Sequence, residues 1–181
     1  MPLDFTQLSV MVVDANFHMR TLLESILKSF GVRQIIGAGD GSEALKEMKT
    51  RYVDIVMTDW YMDPLDGLDF TRLLRTSEDS PNRYIPIIMV TGHTEAHRVA
   101  EARDSGVTEF LAKPVSPRGL YVRLETVVLK PRSFITTPIF TGPCRRRREL
   151  PRIGKPERRA DAHDAPIPEP AVCDQVHAAA V

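Results

Sequence analysis

A chain of 181 residues holds one ordinary domain with a long appendage or two very small domains, which excludes a large multidomain enzyme. With 43% hydrophobic residues, 27% charged residues and 24 Lys+Arg against 24 Asp+Glu, it reads as globular, and its balanced charge singles out no partner. No apolar run approaches the roughly 18 residues of a membrane helix, and Met1-Pro2-Leu3-Asp4 lacks the basic start of a secretory signal, so a cytoplasmic protein without a membrane partner is expected.

In chain order, a short apolar run predicts a first strand from Leu8 to Val13. The helix after it aligns Met19, Leu22, Leu23, Ile26, Leu27 and Phe30 in one stripe, with Gly31 as its C-cap. Further strands are predicted at Gln34 to Ala38, Asp54 to Thr58, Ile85 to Val90 and Glu109 to Ala112. Helical stretches fill the gaps over Ser42 to Arg51, Leu68 to Thr76 and Glu95 to Ser105, and a last helix carries Leu120, Leu124, Val127 and Val128. Each strand run is nearly continuous in hydrophobicity, as strands covered on both faces are. Five β/α units in about 125 residues give a flavodoxin-like α/β fold, a doubly wound parallel sheet in order 2-1-3-4-5.

The balanced charge hides a split. Residues 1–130 carry 15 Lys+Arg and 18 Asp+Glu, whereas residues 131–181 carry 9 and 6, so −3 is followed by +3. Eight of the 14 prolines fall after residue 130, where no long hydrophobic period survives. The expected organisation is therefore a domain over 1–130 and a basic, proline-rich, largely disordered tail over 131–181 that the fold does not need. Phe134, Ile135, Ile139 and Phe140 show no periodicity, and docking on the domain and docking on another protein both stay open. Residues 144–159 hold eight cations against Glu149 and Glu157, beginning with Arg145 to Arg148. Such a run binds nucleic-acid phosphates or an acidic partner through counterion release, or is simply solvated. Cys144 and Cys173 lack CxxC spacing and paired histidines, so two free thiols are expected rather than a zinc site or a disulfide.

Ligands of an open parallel sheet bind beyond the carboxyl ends of its strands. Asp14, Asp59, Thr91 and Lys113 stand at those ends. Two mutually repelling carboxylates invite a divalent cation, while a lysine and a hydroxyl receive an incoming oxyanion. This set suits phosphoryl transfer to a carboxylate nucleophile, with Asp59 as the candidate and Asp14 as a metal-site acid or the cap of the first helix. Trp60 is expected to flank the hollow, and His18, His93 and His97 to be surface or loop residues.

The stretches Val12-Val13-Asp14-Ala15-Asn16, Asp59-Trp60-Tyr61-Met62-Asp63-Pro64-Leu65-Asp66-Gly67, Val90-Thr91-Gly92 and Lys113-Pro114 follow strands one, three, four and five in order. In this the chain resembles the CheY-like receiver domain of bacterial two-component response regulators, over roughly residues 5–130. The resemblance implies Asp59 as phosphoacceptor, Thr91 as the hydroxyl that moves to the phosphoryl group and Lys113 as its counter-ion. It implies that the rotamer of Phe110 follows Thr91, against an ordinary core role for that ring, and that Lys113-Pro114 is a cis peptide. It also implies Mg²⁺ held by Asp14, Asp59 and the Tyr61 carbonyl.

Three positions depart from the family pattern. Ala15 stands where the family places a second, directly metal-binding acid, so weakened Mg²⁺ affinity is expected. Asp63 occupies the place of the family's loop proline, with Pro64 one position later. Tyr61 and His93 fill the two positions that tune phosphoryl lifetime in the family, and both are bulky enough to slow an attacking water. The implied function is that of a single-domain response regulator, not an enzyme. A histidine kinase or phosphotransfer protein would phosphorylate Asp59, and the product would bind an unidentified downstream protein or form a homodimer. The alternative is a pseudo-receiver, disabled at Ala15, that binds protein or nucleic acid constitutively through its basic tail.

Overall fold

Every residue of β1 (Ser9–Val13), β3 (Ile55–Thr58) and β4 (Ile87–Thr91) is buried in the computed structural model, which describes residues 3–93, 95–137 and 140–144. Burial on both faces is why these runs are apolar without alternation. With β2 (Gln34–Ala38) and β5 (Glu109–Ala112) they form one parallel sheet of order β2-β1-β3-β4-β5. The expected topology is the observed one. β4 begins two residues later than the apolar run, because Pro86 has no N–H to give a ladder.

Side chains alternate across the strands. Val10 and Val12 face a core built with Leu23, Leu27, Leu120 and Leu124 of α1 (Phe17–Ser29) and α5 (Pro117–Leu129). Met11 and Val13 face the opposite core, against Ala44 and Met48 of α2 (Gly41–Thr50) and Phe70 and Leu74 of α3 (Gly67–Thr76). Asn16, Asp40, Asp66 and Ser116 accept first-turn N–H groups and so start α1, α2, α3 and α5. Gly31, at φ 95°, closes α1: its N–H bonds the Lys28 carbonyl and that of Val32 bonds Leu27, a Schellman turn that favours glycine.

α4 (Ala96–Asp104) is held differently. Ala102 is its one buried residue, and its Glu95 N-cap makes no side-chain cap bond.

Beyond Lys130, the expected end of the domain, the packed chain continues. β6 (Phe134–Thr137) and β7 (Phe140–Pro143) pair antiparallel, Phe134 with Pro143 and Thr137 with Phe140. This hairpin packs at the amino ends of β4 and β5. Phe134 is buried, edge-on to Tyr84 with ring centroids 5.5 Å apart, and Arg132 Nη1 donates to the Thr108 carbonyl at 2.8 Å. The Arg75 guanidinium lies 5.1 Å from the centre of the Phe134 ring. Arg75 is itself buried, donating from Nε and Nη2 to the Gly106 carbonyl (3.1 and 3.0 Å) and from Nη1 to that of Arg83 (2.8 Å). Burial pulls its pKa down to about 9.

Of the two docking alternatives for the aromatic pair, the body of the domain therefore receives Phe134. Cys144 is a free thiol, as expected. Pro138, Ile139, the Arg145 to Arg148 run and Cys173 lie outside the described residues, as does the remainder of the expected tail.

Candidate functional site

Parallel pairing brings the strand ends together. Asp59 N–H donates to the Val13 carbonyl at 2.8 Å, Asp14 N–H to that of Ala38 at 3.2 Å, and Lys113 N–H to that of Thr91 at 2.8 Å. Above this seam the Lys113 ammonium bridges two carboxylates, with Nζ 3.0 Å from Asp14 Oδ2 and 2.9 Å from Asp59 Oδ2. The Asp14 side chain is only 2% exposed, whereas those of Asp59 and Lys113 reach water at 18% and 22%. The buried acid is thus the anchor of the site and the other two groups face its mouth.

The remaining carboxylate oxygens are also engaged. Asp14 Oδ1 accepts from the Asn16 N–H at 2.8 Å and Asp59 Oδ1 from the Trp60 N–H at 2.7 Å. Because Asn16 caps α1, the helix-cap alternative for Asp14 does not hold. Arg20 Nη1, from the first turns of α1, donates to the Asp14 carbonyl at 2.5 Å and braces the same loop.

Burial on its own pulls the Lys113 pKa down, but the hydrogen bonds and charges of Asp59 and Asp14 outweigh it and hold the pKa above the ordinary lysine value. A cation whose folded pKa is raised contributes stability that is complete below the unfolded pKa, about 10.4, and is lost as pH rises through the folded value. The stability difference between the native chain and Lys113→Met is accordingly expected to stay constant from neutral pH to about 9 and to shrink above the lysine range. Urea midpoints measured against pH check this.

Thr91 is buried, and its Oγ1 accepts the His93 N–H at 3.0 Å, leaving the hydroxyl proton to donate elsewhere. Phe110 is half-buried against the cluster of Trp60, Leu68, Met89, Ala102 and Val107. Lys113-Pro114 is cis, as the resemblance implied, and so is Asp63-Pro64. The exposed Tyr61 ring meets the edge of His93 at 5.0 Å. Beneath them Trp60 is buried, 6.3 Å from Tyr61 and 6.4 Å from His93, with Arg98 of α4 5.5 Å from its ring centre. His18 and His97 are exposed, and His93 lies in the loop between β4 and α4, where it joins this aromatic rim.

Sequence reasoning quoted Gly67 within a motif but gave it no role. A Cβ there would stand 1.9 Å from the carbonyl oxygen of Asp59, and its N–H bonds the Trp60 carbonyl at 2.8 Å. Only a residue without a side chain lets α3 start against the backbone of the acid. Gly67→Ala is expected to lower stability by about 2 kcal/mol through forced displacement of the Asp59 loop, read as a shift in the urea midpoint.

Among the described residues there is no cluster of three His, Cys, Asp or Glu side chains suited to a metal. Ala15 is exposed and offers no side-chain ligand for a metal. Magnesium, however, is commonly held by one or two carboxylates and keeps several waters. Asp14 and Asp59 supply two such carboxylates, with Lys113 neutralising one of their two negative charges.

The family model described as the response regulator receiver domain matches residues 10–125. The sensor kinase/phosphatase CqsS of Vibrio cholerae is 38% identical over 105 residues, which cover 58% of this chain but only 15% of CqsS. Chemotaxis protein CheY1 of Helicobacter pylori is 31% identical over 122 residues, 67% of this chain and 97% of CheY1. Among solved structures, the receiver domain of the sensor histidine kinase PA1611 from Pseudomonas aeruginosa has magnesium coordinated in its active-site cleft. It matches with a TM-score of 0.58 and 26% identity, over 65% of this chain and 94% of that one. No helix among the described residues is long and apolar enough to cross a membrane.

Proposed function

The chain belongs to the response regulator receiver domain family, and on that premise we propose that it is a response regulator phosphorylated on Asp59 by a histidine kinase or phosphotransfer protein. The observation that carries this reading is the single ammonium shared by Asp59 and the buried Asp14, at 2.9 and 3.0 Å. An Asp59 carboxylate oxygen attacks the phosphorus of a phosphohistidine. The P–N bond breaks, the imidazole leaves with a proton from water, and an acyl phosphate remains. Lys113 offsets the added negative charge, and the Thr91 hydroxyl donates its proton in a hydrogen bond to a phosphoryl oxygen. Asp14, Asp59 and the Tyr61 carbonyl would hold Mg²⁺, which would supply further neutralisation of negative charge at the site. Tyr61 and His93 hinder water at the mouth and lengthen the life of the phosphoryl group.

The output is altered protein binding, through Phe110 and the surface of α4, β5 and α5, with a homodimer as one form of it. No enzymatic turnover of a separate substrate is needed, and a cytoplasmic location fits a kinase partner. Ala15 favours a second reading, a pseudo-receiver that binds its partner constitutively, with the basic run beyond Cys144 taking protein or nucleic acid. Trp60, the chain's one tryptophan, separates the two readings. Its emission is expected to change on adding millimolar Mg²⁺ and again on adding a small phosphodonor, and Asp59→Asn is expected to abolish the second change. An indifferent Trp60 at saturating Mg²⁺ favours the pseudo-receiver.

A further inference from the structure

We propose that the β6–β7 hairpin is a clamp on the carboxyl end of α4, giving that helix a fixed end at Gly106 and a free end beside Trp60. The helix needs such a restraint, since Ala102 is its one buried residue and its Glu95 N-cap makes no side-chain cap bond. At its carboxyl end the chain turns through Gly106, at φ 100°, whose N–H bonds Arg103 while that of Val107 bonds Ala102. This is the same Schellman closure as at Gly31, but here it is overlaid by other elements.

The overlay has three layers. From α3, Arg75 gives two N–H bonds to the Gly106 carbonyl, and a Cβ on Gly106 would stand 2.9 Å from Arg75 Cγ. From the hairpin, the Thr141 carbonyl would be 3.3 Å from that Cβ, and a Cβ on Gly142 would be 3.0 Å from Gly106 Cα. Two glycines therefore permit a backbone-to-backbone approach that any side chain would hold apart. Phe134 then places its ring against the same guanidinium. Moving the carboxyl end of α4 would strip a buried cation of both hydrogen bonds to the Gly106 carbonyl and disturb its aromatic cover, whereas moving the amino end disturbs little more than Arg98 over Trp60.

The hairpin lies beyond residues 10–125, so the clamp is an addition of this chain to the receiver body. Its consequence is directional. A rearrangement at the acidic hollow is taken up by the amino end of α4, next to His93 and Tyr61, and is not dissipated by sliding of the whole helix. The clamp exists without a phosphoryl group, and only the identity of what drives the free end rests on the proposed function.

Amide hydrogen exchange of the unphosphorylated full-length chain tests the clamp. In the native chain, amides in the second half of α4 and in Ser105–Glu109 are expected to exchange about tenfold more slowly than those in its first half. In Phe134→Ala the contrast is expected to vanish, with β1 and β3 amides as the internal reference for global opening. Gly142→Ala, whose methyl would press on Gly106, is expected to reduce the same contrast with less loss of stability. Uniform exchange along α4 in the native chain overturns the clamp. So does a contrast that survives while the hairpin's own amides become unprotected. Because no phosphodonor is used, failure of Asp59 phosphorylation leaves this result standing on its own.

Discussion

Phe134→Ala is expected to lower the unfolding free energy by about 3 kcal/mol, the ordinary cost of emptying a phenylalanine site in a core. The ring is 5% exposed, packs on Tyr84, and faces the guanidinium of a fully buried arginine. Its loss leaves a cavity and also removes the aromatic cover of a cation already under desolvation strong enough to lower its pKa to about 9. Against the roughly 5–15 kcal/mol that holds a domain together, this is a large share. Cutting the chain after Lys130 is expected to cost at least as much, contrary to the sequence-based expectation that residues 131–181 are dispensable for folding. Urea unfolding of both variants reads the effect, and unchanged midpoints contradict the docked hairpin.

Lys113→Met is expected to destabilise the chain by about 2 kcal/mol at neutral pH, toward the low end for a buried ion pair because Lys113 and Asp59 still reach water. Both carboxylates lie within 3.0 Å of the same nitrogen, so its removal leaves two like charges facing one another, with one of them, Asp14, buried. The penalty is this repulsion together with the cost of leaving the buried Asp14 carboxylate without its counter-ion. Millimolar Mg²⁺ is expected to restore part of the loss, since the vacated space lies between two carboxylates. Stability that is the same with and without Lys113, at neutral pH and without metal, contradicts the account of the site.

Much of this was legible in the residues. Runs such as Val10 to Val13 and Ile55 to Met57 are apolar throughout, and that pattern forces a sheet covered on both faces. The sheet in turn places Asp14, Asp59, Thr91 and Lys113 at one edge, so the acid–lysine arrangement follows from topology alone. What stayed hidden has no periodic signal. Phe134 and Arg75 are 59 positions apart, and a hairpin with four-residue strands looks like linker. Arginine on an amphipathic helix reads as a surface residue, yet the Gly106 and Arg83 carbonyls draw Arg75 inward. The demand on Gly67 comes from the Asp59 carbonyl at the start of α3, a contact that only coordinates reveal. The duty of Asp14, metal-site acid or helix cap, was likewise undecided, because an aspartate before a turn suits both; the structure gives the cap to Asn16.

Intact-mass measurement of the purified chain, incubated with a small phosphodonor and saturating Mg²⁺, tests the central claim most directly. The account predicts a gain of one PO₃ unit, mapped to the peptide containing Asp59 and absent in Asp59→Asn. An unchanged mass, or a gain that persists in Asp59→Asn, contradicts it.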